Sequence, residues 1–255
     1  MYGPFIMKSI QFLMMAGLFF LGINSEAATL NDIEFITESY PPYNFEQDGV
    51  VKGITVEILL ETSKEAGQPL KRSQLKLRPW ARGYRQALSG PMVMLFSMSR
   101  TKEREDKFQW VGPILKNRVA VLAKKSSGIK ITSSDDLQKY SIGAVLDDVG
   151  EQILKSLGNS SNIQTSAKPA AVAKKLNSGR IQLWAYDETV AKSIMSSAGL
   201  NSAEFEAVFT LKETASFYAL SKDVPRPLVE LLQSGLDSLK KRNGGADYDA
   251  LVNGH

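Results

Sequence analysis

The stretch Val93-Met94-Leu95-Phe96-Ser97-Met98-Ser99-Arg100-Thr101-Lys102-Glu103-Arg104 decides how the chain is read. Residues 93–96 are four apolar side chains in a row, the pattern of a buried strand. Small hydroxyl residues follow, and Thr101 then opens a short acidic turn of helix. Strand ends that feed helix starts are where open α/β proteins bind small ligands. Backbone N–H groups and the hydroxyls of Ser97, Ser99 and Thr101 suit an anion there. Arg104, one turn in, can offer a two-pronged hydrogen bond to a carboxylate. The competing reading pairs Arg104 with Glu103 or Asp106 on a solvated helix face.

Upstream, residues 31–37 read as a first strand, and Tyr40-Pro41-Pro42-Tyr43 forms a rigid aromatic loop because proline is excluded from helix and central strand. Thr55 is a candidate N-cap for a helix over 56–66, stopped by Gly67. A strand over 74–78 and a helix over 81–88 follow, with Pro79-Trp80 between them and Trp80 a candidate cleft wall. Downstream, residues 118–122 and 141–146 read as strands. Asp148 is placed to cap a helix over 149–157 that turns Leu154 and Leu157 inward. Pro169 starts a helix carrying Val172, Ala173 and Leu176 inward. Residues 181–186 form a strand, and Asp187 opens the next helix. Separate strands are expected near 205–209 and 216–220. The last helix carries Leu228, Leu231, Leu232, Leu236 and Leu239 on one stripe, ended by Asn243-Gly244-Gly245.

Strand and helix thus alternate twice, with a break near 118–124 and a return near 211–219. That is the pattern of an α/β protein with two lobes, two extended crossings, and a ligand cleft that hinges shut. Before the first strand, Lys8, an apolar run over 10–23 and Ser25-Glu26-Ala27 read as a signal peptide, residues 1–27, too short a run to span a membrane. Its removal leaves the net charge at +4. The chain has no cysteine, hence neither a lipoprotein anchor nor a disulfide framework, which fits the periplasm. Basic residues occur only in short runs, so no nucleic-acid footprint is present. The one histidine, His255, is terminal, and neither a metal nor a cofactor is called for.

These motifs resemble the amino-acid-binding periplasmic solute-binding proteins of ABC transporters, extracellular solute-binding family 3. The residues that carry the likeness are 38–45 with Gly53, 97–113 with its Thr101-x-x-Arg104 and Gly112-Pro113, and 179–187. The resemblance implies the periplasmic binding protein type 2 fold, with two Rossmann-like lobes joined by two hinge strands. Lobe 1 would be residues 28–118 and 212–255, and lobe 2 residues 119–211. It also implies that Arg104 and Ser99 hold the ligand α-carboxylate, that the backbone at Ser97 accepts from the α-ammonium, that Tyr40 stacks on the ligand, and that Asp187 pairs with the ammonium. The implied partners are a small amino-acid-like ligand and an inner-membrane ABC permease, with the protein a monomer.

The chain departs from the family pattern in its acids. Thr37 stands where many members carry Asp, and the adjacent Glu38 is expected to point the other way, since side chains alternate along a strand. The second-lobe turn, Leu146-Asp147-Asp148-Val149-Gly150, is acidic where a small polar turn is usual. An acidic turn repels a carboxylate, so a ligand with less negative charge or with more than one ammonium suits it better. Two other functions fit the same scaffold: a ligand-presenting component of a membrane sensor, and a dehydratase-like enzyme using Glu38 or Asp187 as its acid.

Overall fold

The computed structural model describes residues 28–242. The expected signal peptide, the expected helix stop at Asn243-Gly244-Gly245 and His255 lie outside those residues. In chain order the strands of the first part are β1 (Glu34–Thr37), the hairpin β2 (Phe45–Gln47) and β3 (Val50–Lys52), β4 (Leu75–Leu77) and β5 (Val93–Ser99). Helices α1 (Ile54–Glu65) and α2 (Trp80–Ser89) lie between them. A long strand, β6 (Gln109–Lys124), leads to β7 (Ile142–Val145), α3 (Val149–Ser156), β8 (Ile163–Ser166), α4 (Pro169–Asn177), β9 (Leu183–Asp187) and α5 (Glu188–Ser197). A second long strand, β10 (Phe205–Leu220), returns the chain to the closing helix α6 (Arg226–Arg242).

The sheet order is β4-β1-β5-β10-β6-β9-β7-β8. Each end of it is parallel: β1 lies between β4 and β5, and β7 lies between β8 and β9. The centre is antiparallel, with β10 against both β5 and β6, and β6 against β9. One end of β10 pairs with β5, while its other end pairs with the far end of β6, which in turn pairs with β9. The fold is therefore α/β with two lobes, and β6 and β10 are the two strands that cross between them.

Period-two alternation on β5 sends Met94 and Phe96 to one core, and Val93 and Leu95 to another that includes Trp80, Tyr84 and Phe108. The alternation then breaks. Met98 pairs with Phe217 and Phe96 with Tyr218, leaving Ser97 as an extra residue with φ 66°. A bulge of this kind re-aims the side chains beyond it. It puts Ser97, Ser99 and Met98 where a regular strand would not.

Four expectations change. No α-helix follows Thr101: only a few residues separate β5 from β6, and they form a turn closed by Arg104 N–H on Thr101 O (3.0 Å) and a 3-10 turn over Glu105–Lys107. Helix α1 is capped by Gly53 rather than Thr55, whose hydroxyl is used elsewhere. Leu157 is 38 % exposed, because α3 ends at Ser156 and the chain turns outward. The strands expected over 205–209 and 216–220 are one, since three register shifts let β10 continue through the polar segment between them.

Candidate functional site

The loop after β1 carries Glu38 and Tyr40 to the inner face of the first lobe, where both are buried. Asn44 fixes the loop by donating from Nδ2 to the Glu38 carbonyl (2.7 Å). The Thr55 hydroxyl lies 3.0 Å from both Tyr43 O and Asn44 Oδ1 and accepts from Ser97 Oγ at 2.9 Å. The start of α1, the aromatic loop and the bulge of β5 are thus joined through one threonine.

Arg104 is 1 % exposed. Its guanidinium carbon lies 5.2 Å from the Trp80 ring centre and 5.1 Å from that of Tyr84. These rings occupy positions i and i+4 of α2 and so share one helix face. Nη1 donates to Ser99 O (3.3 Å) and Nη2 reaches Asp147 O across the cleft (3.2 Å). The same carbonyl accepts from Trp80 Nε1 (2.8 Å) and Gln152 Nε2 (3.1 Å). Asp147 sits in the left-handed region at φ 61°, and its amide is held by Glu151 Oε2 at 2.6 Å. That conformation aims its carbonyl at the first lobe.

In the second lobe Asp148 is the N-cap residue of α3 and is buried. Tyr186 stacks on Trp184 and meets Tyr40 edge-on, ring centres 5.7 Å apart, so an aromatic contact also bridges the lobes. Asp187 caps α5 through the Val190 amide (2.9 Å) and accepts from Asn117 Nδ2 (3.1 Å). Asn117 in turn accepts from Ser216 Oγ (2.6 Å). Asn117 and Ser216 lie on the two crossing strands, which ties Asp187 to the hinge.

The fold brings Glu38, Tyr40, Trp80, Ser97, Ser99, Thr101, Arg104 and Asp187 into buried positions around the cleft. Sequence reasoning missed Tyr84, Tyr186, Asn117, Ser216 and the Asp147 carbonyl. Of these only Tyr84 left a signal, four residues after Trp80. Beside Trp80 and Glu38 a cavity of about 400 Å³ opens between the lobes, walled on the far side by Pro169, Ala170 and Ile194. Among the described residues no group of three His, Cys, Asp or Glu is placed to hold a metal ion.

Burial dominates the electrostatics. Desolvation pushes the Glu38 carboxyl well above its ordinary range and the nearby Asp148 charge adds to this, while Arg104 opposes it. Asp148 is raised by desolvation against the pull of Arg104, and Asp187 by desolvation against its amide donors. Arg104 is lowered by desolvation and supported by Asp148. Raised carboxyl values mean that the folded state binds more protons than the unfolded chain. Stability therefore falls as pH climbs from the ordinary carboxyl value through the raised ones. Lowered carboxyls such as Asp32 and Glu61 lose their contribution only below their unfolded values, outside that window. The Tm of the ligand-free protein is expected to be higher at about pH 5 than at about pH 8. Glu38→Gln should flatten the slope. An unchanged slope in that variant would remove Glu38 from this account.

Two lobes, two crossing strands and a buried polar cluster fed from both sides define a cleft-type binding protein. The profile of the bacterial extracellular solute-binding proteins, family 3, matches residues 34–246, and the chain belongs to that family. No curated protein sequence matches it. Among solved structures it is similar to a histidine kinase sensor domain with similarity to periplasmic binding proteins, at 18 % identity and TM-score 0.75 over 87 % of this chain and 94 % of that one. It is also similar to a mutant of ArgBP from T. maritima, at 18 % identity and TM-score 0.72 over 87 % and 93 %. A third is an amino acid ABC transporter substrate-binding protein from Streptococcus pneumoniae bound to L-arginine, at 21 % identity and TM-score 0.70 over 86 % and 92 %. At such identities the likeness establishes the fold. Among the described residues no helix is long and apolar enough to cross a membrane.

Proposed function

We propose that this protein captures a small polar metabolite, an amino acid or a close derivative, and hands it to an inner-membrane ABC permease. It would work as a periplasmic monomer after loss of residues 1–27, with lobes of 28–118 plus 212–255 and 119–211. The observation that carries this reading is the Arg104 guanidinium, buried beside the stacked rings of Trp80 and Tyr84 and reaching a carbonyl of the opposite lobe. A ligand carboxylate is a charged acceptor and makes a hydrogen bond roughly twice as strong as a neutral carbonyl does. It would displace Asp147 O from Arg104 and leave the lobes closed over the guest. Ser99 and Thr101 would border the carboxylate, Ser97 would offer backbone to the ammonium, and Tyr40 would cover the ligand.

A thermal-shift screen of amino acids, amines and small carboxylates tests it. A ligand at a hundred times its Kd adds about 2.7 kcal/mol, and about 5–11 °C in Tm for a chain of this size. No shift with any of them rejects the proposal. The likeness to a sensor domain supports a second reading, in which the loaded form is presented to a membrane receptor. Uptake of labelled ligand in cells lacking the protein separates the two: transport predicts lost uptake, and presentation predicts lost signalling with uptake intact.

A further inference from the structure

We infer that the ligand's cationic group is received by Glu38 and Asp148, facing each other across the cleft, and that this pair selects a guest with one positive charge more than a zwitterion. This rests on the reading of the cleft as the ligand site.

Asp187 is the acid the family resemblance assigns to the ammonium, and its carboxylate is already used. It accepts from the Val190 amide and from Asn117 Nδ2, and the amides of Thr189 and Arg118 also bear on it. All four donors belong to the second lobe or to a crossing strand. Asp148 differs at one oxygen. The Val149 and Gly150 amides bear on its carboxyl, but its Oδ2 is fully buried and has no hydrogen-bond partner. Two neighbours in the same cluster share that condition, the Tyr186 hydroxyl and Arg104 Nε. A buried polar atom without a partner costs free energy unless something supplies one. Three from both lobes, around one point, describe a polar guest.

Charge then sets its class. The groups that face this point are Arg104 and Glu38 from the first lobe and Asp148 from the second, with Tyr40 and Tyr186 beside them and Asp187 behind. With both acids ionised, a zwitterion leaves two buried carboxylates against one guanidinium. A ligand with an additional ammonium or guanidinium balances them and favours the charged forms that burial otherwise disfavours. The cavity of about 400 Å³ that Glu38 borders gives room for the body of such a molecule against Trp80, Leu77, Pro79 and Ile194. Arg78 and Lys168 stand at its outer rim. Arg78 is turned to Leu77 O and toward Glu34, and Lys168 is exposed, where salt screens it. The chemical class is a basic amino acid, its carboxylate on Arg104 and its extra cation balancing the two acids.

The test uses the full mature chain and calorimetric titration with L-arginine and L-lysine, against agmatine, which has no carboxylate, and L-citrulline, L-norleucine and L-glutamate. At least one basic amino acid should bind tenfold or more tighter than agmatine and than every neutral or acidic compound. Glu38→Gln and Asp148→Asn, both nearly isosteric, should each bring its ratio to the neutral compounds close to one, with circular dichroism and ligand-free Tm checking the fold. Asp187→Asn should keep the ratio even if its Tm falls. Equal or tighter binding of agmatine, citrulline, norleucine or glutamate overturns the inference and leaves the solute-binding reading intact. So does a ratio that collapses in Asp187→Asn alone. Binding of none of the six overturns both.

Discussion

Arg104→Met will bind ligand at least a hundredfold more weakly than the parent chain while still folding. The guanidinium makes no ion pair that the fold depends on. Its hydrogen bonds go to two backbone carbonyls, Ser99 O and Asp147 O, with the Tyr84 side chain also bearing on it, and it packs beside the rings of Trp80 and Tyr84. Methionine keeps contact with those rings. A ligand carboxylate brought into that pocket loses its only buried cation. Removing one partner of a buried charge pair costs about 3–5 kcal/mol, which is a hundredfold or more in Kd. Lysine will not rescue it, because a point charge on a flexible stem lacks the planar fork that meets both carbonyls and packs on the rings. The loss should also show in the ligand-free protein. Arg104 opposes the raised carboxyls of Glu38 and Asp148, so without it both rise further and the decline of Tm with pH steepens. Calorimetric titration gives the first quantity and Tm against pH the second. A variant with the parent's Kd would mean that the ligand does not use this guanidinium.

The elements that sequence reasoning placed well are those whose signal is local. Val93 to Phe96 is apolar throughout because β5 is covered on both faces, and Pro169 and Asp187 start helices by their own chemistry. The misplaced elements depend on partners far away in the chain. Thr101 has the residues of a helix start, but the chain must also turn back so that Gln109 can pair with Leu220 of β10, and it does so through two short turns instead of a helix. The polar segment of β10 around Lys212 looked like a break; it is a strand because it crosses from one lobe to the other against β6. The same division runs through the site. Arg104, Ser99 and Tyr40 sit in recognisable local patterns. Trp80, a candidate cleft wall from its place after Pro79, is buried with its indole N–H on the opposite lobe. No pattern of side chains announces the carbonyl of Asp147. Its role comes from a backbone dihedral and from the closure of two lobes.

Gly53→Ala will lower Tm by about 6–12 °C, the equivalent of about 3 kcal/mol for a chain of this size. Gly53 has φ 120° and ψ 169°, a region that essentially only glycine enters. A methyl group there would be driven into the Tyr43 carbonyl and the Asn44 nitrogen. Neither can retreat cheaply. Tyr43 O accepts the Thr55 amide at 2.9 Å and faces the Thr55 hydroxyl at 3.0 Å, and Pro42 O accepts the Ile54 amide at 3.3 Å. The first turn of α1 is built on the loop that carries Tyr40. Gly49→Ala separates backbone strain from collision, since Gly49 has φ 72° but nothing within 4 Å of an added Cβ. It should cost only about 1–2 kcal/mol. Ligand affinity should drop in Gly53→Ala and not in Gly49→Ala, because only the first shifts Thr55, and through it Ser97 and the inner loop. Equal Tm values for the two variants would show that the aromatic loop gives way freely, and that its contact with α1 does not hold the first lobe's half of the cleft in shape.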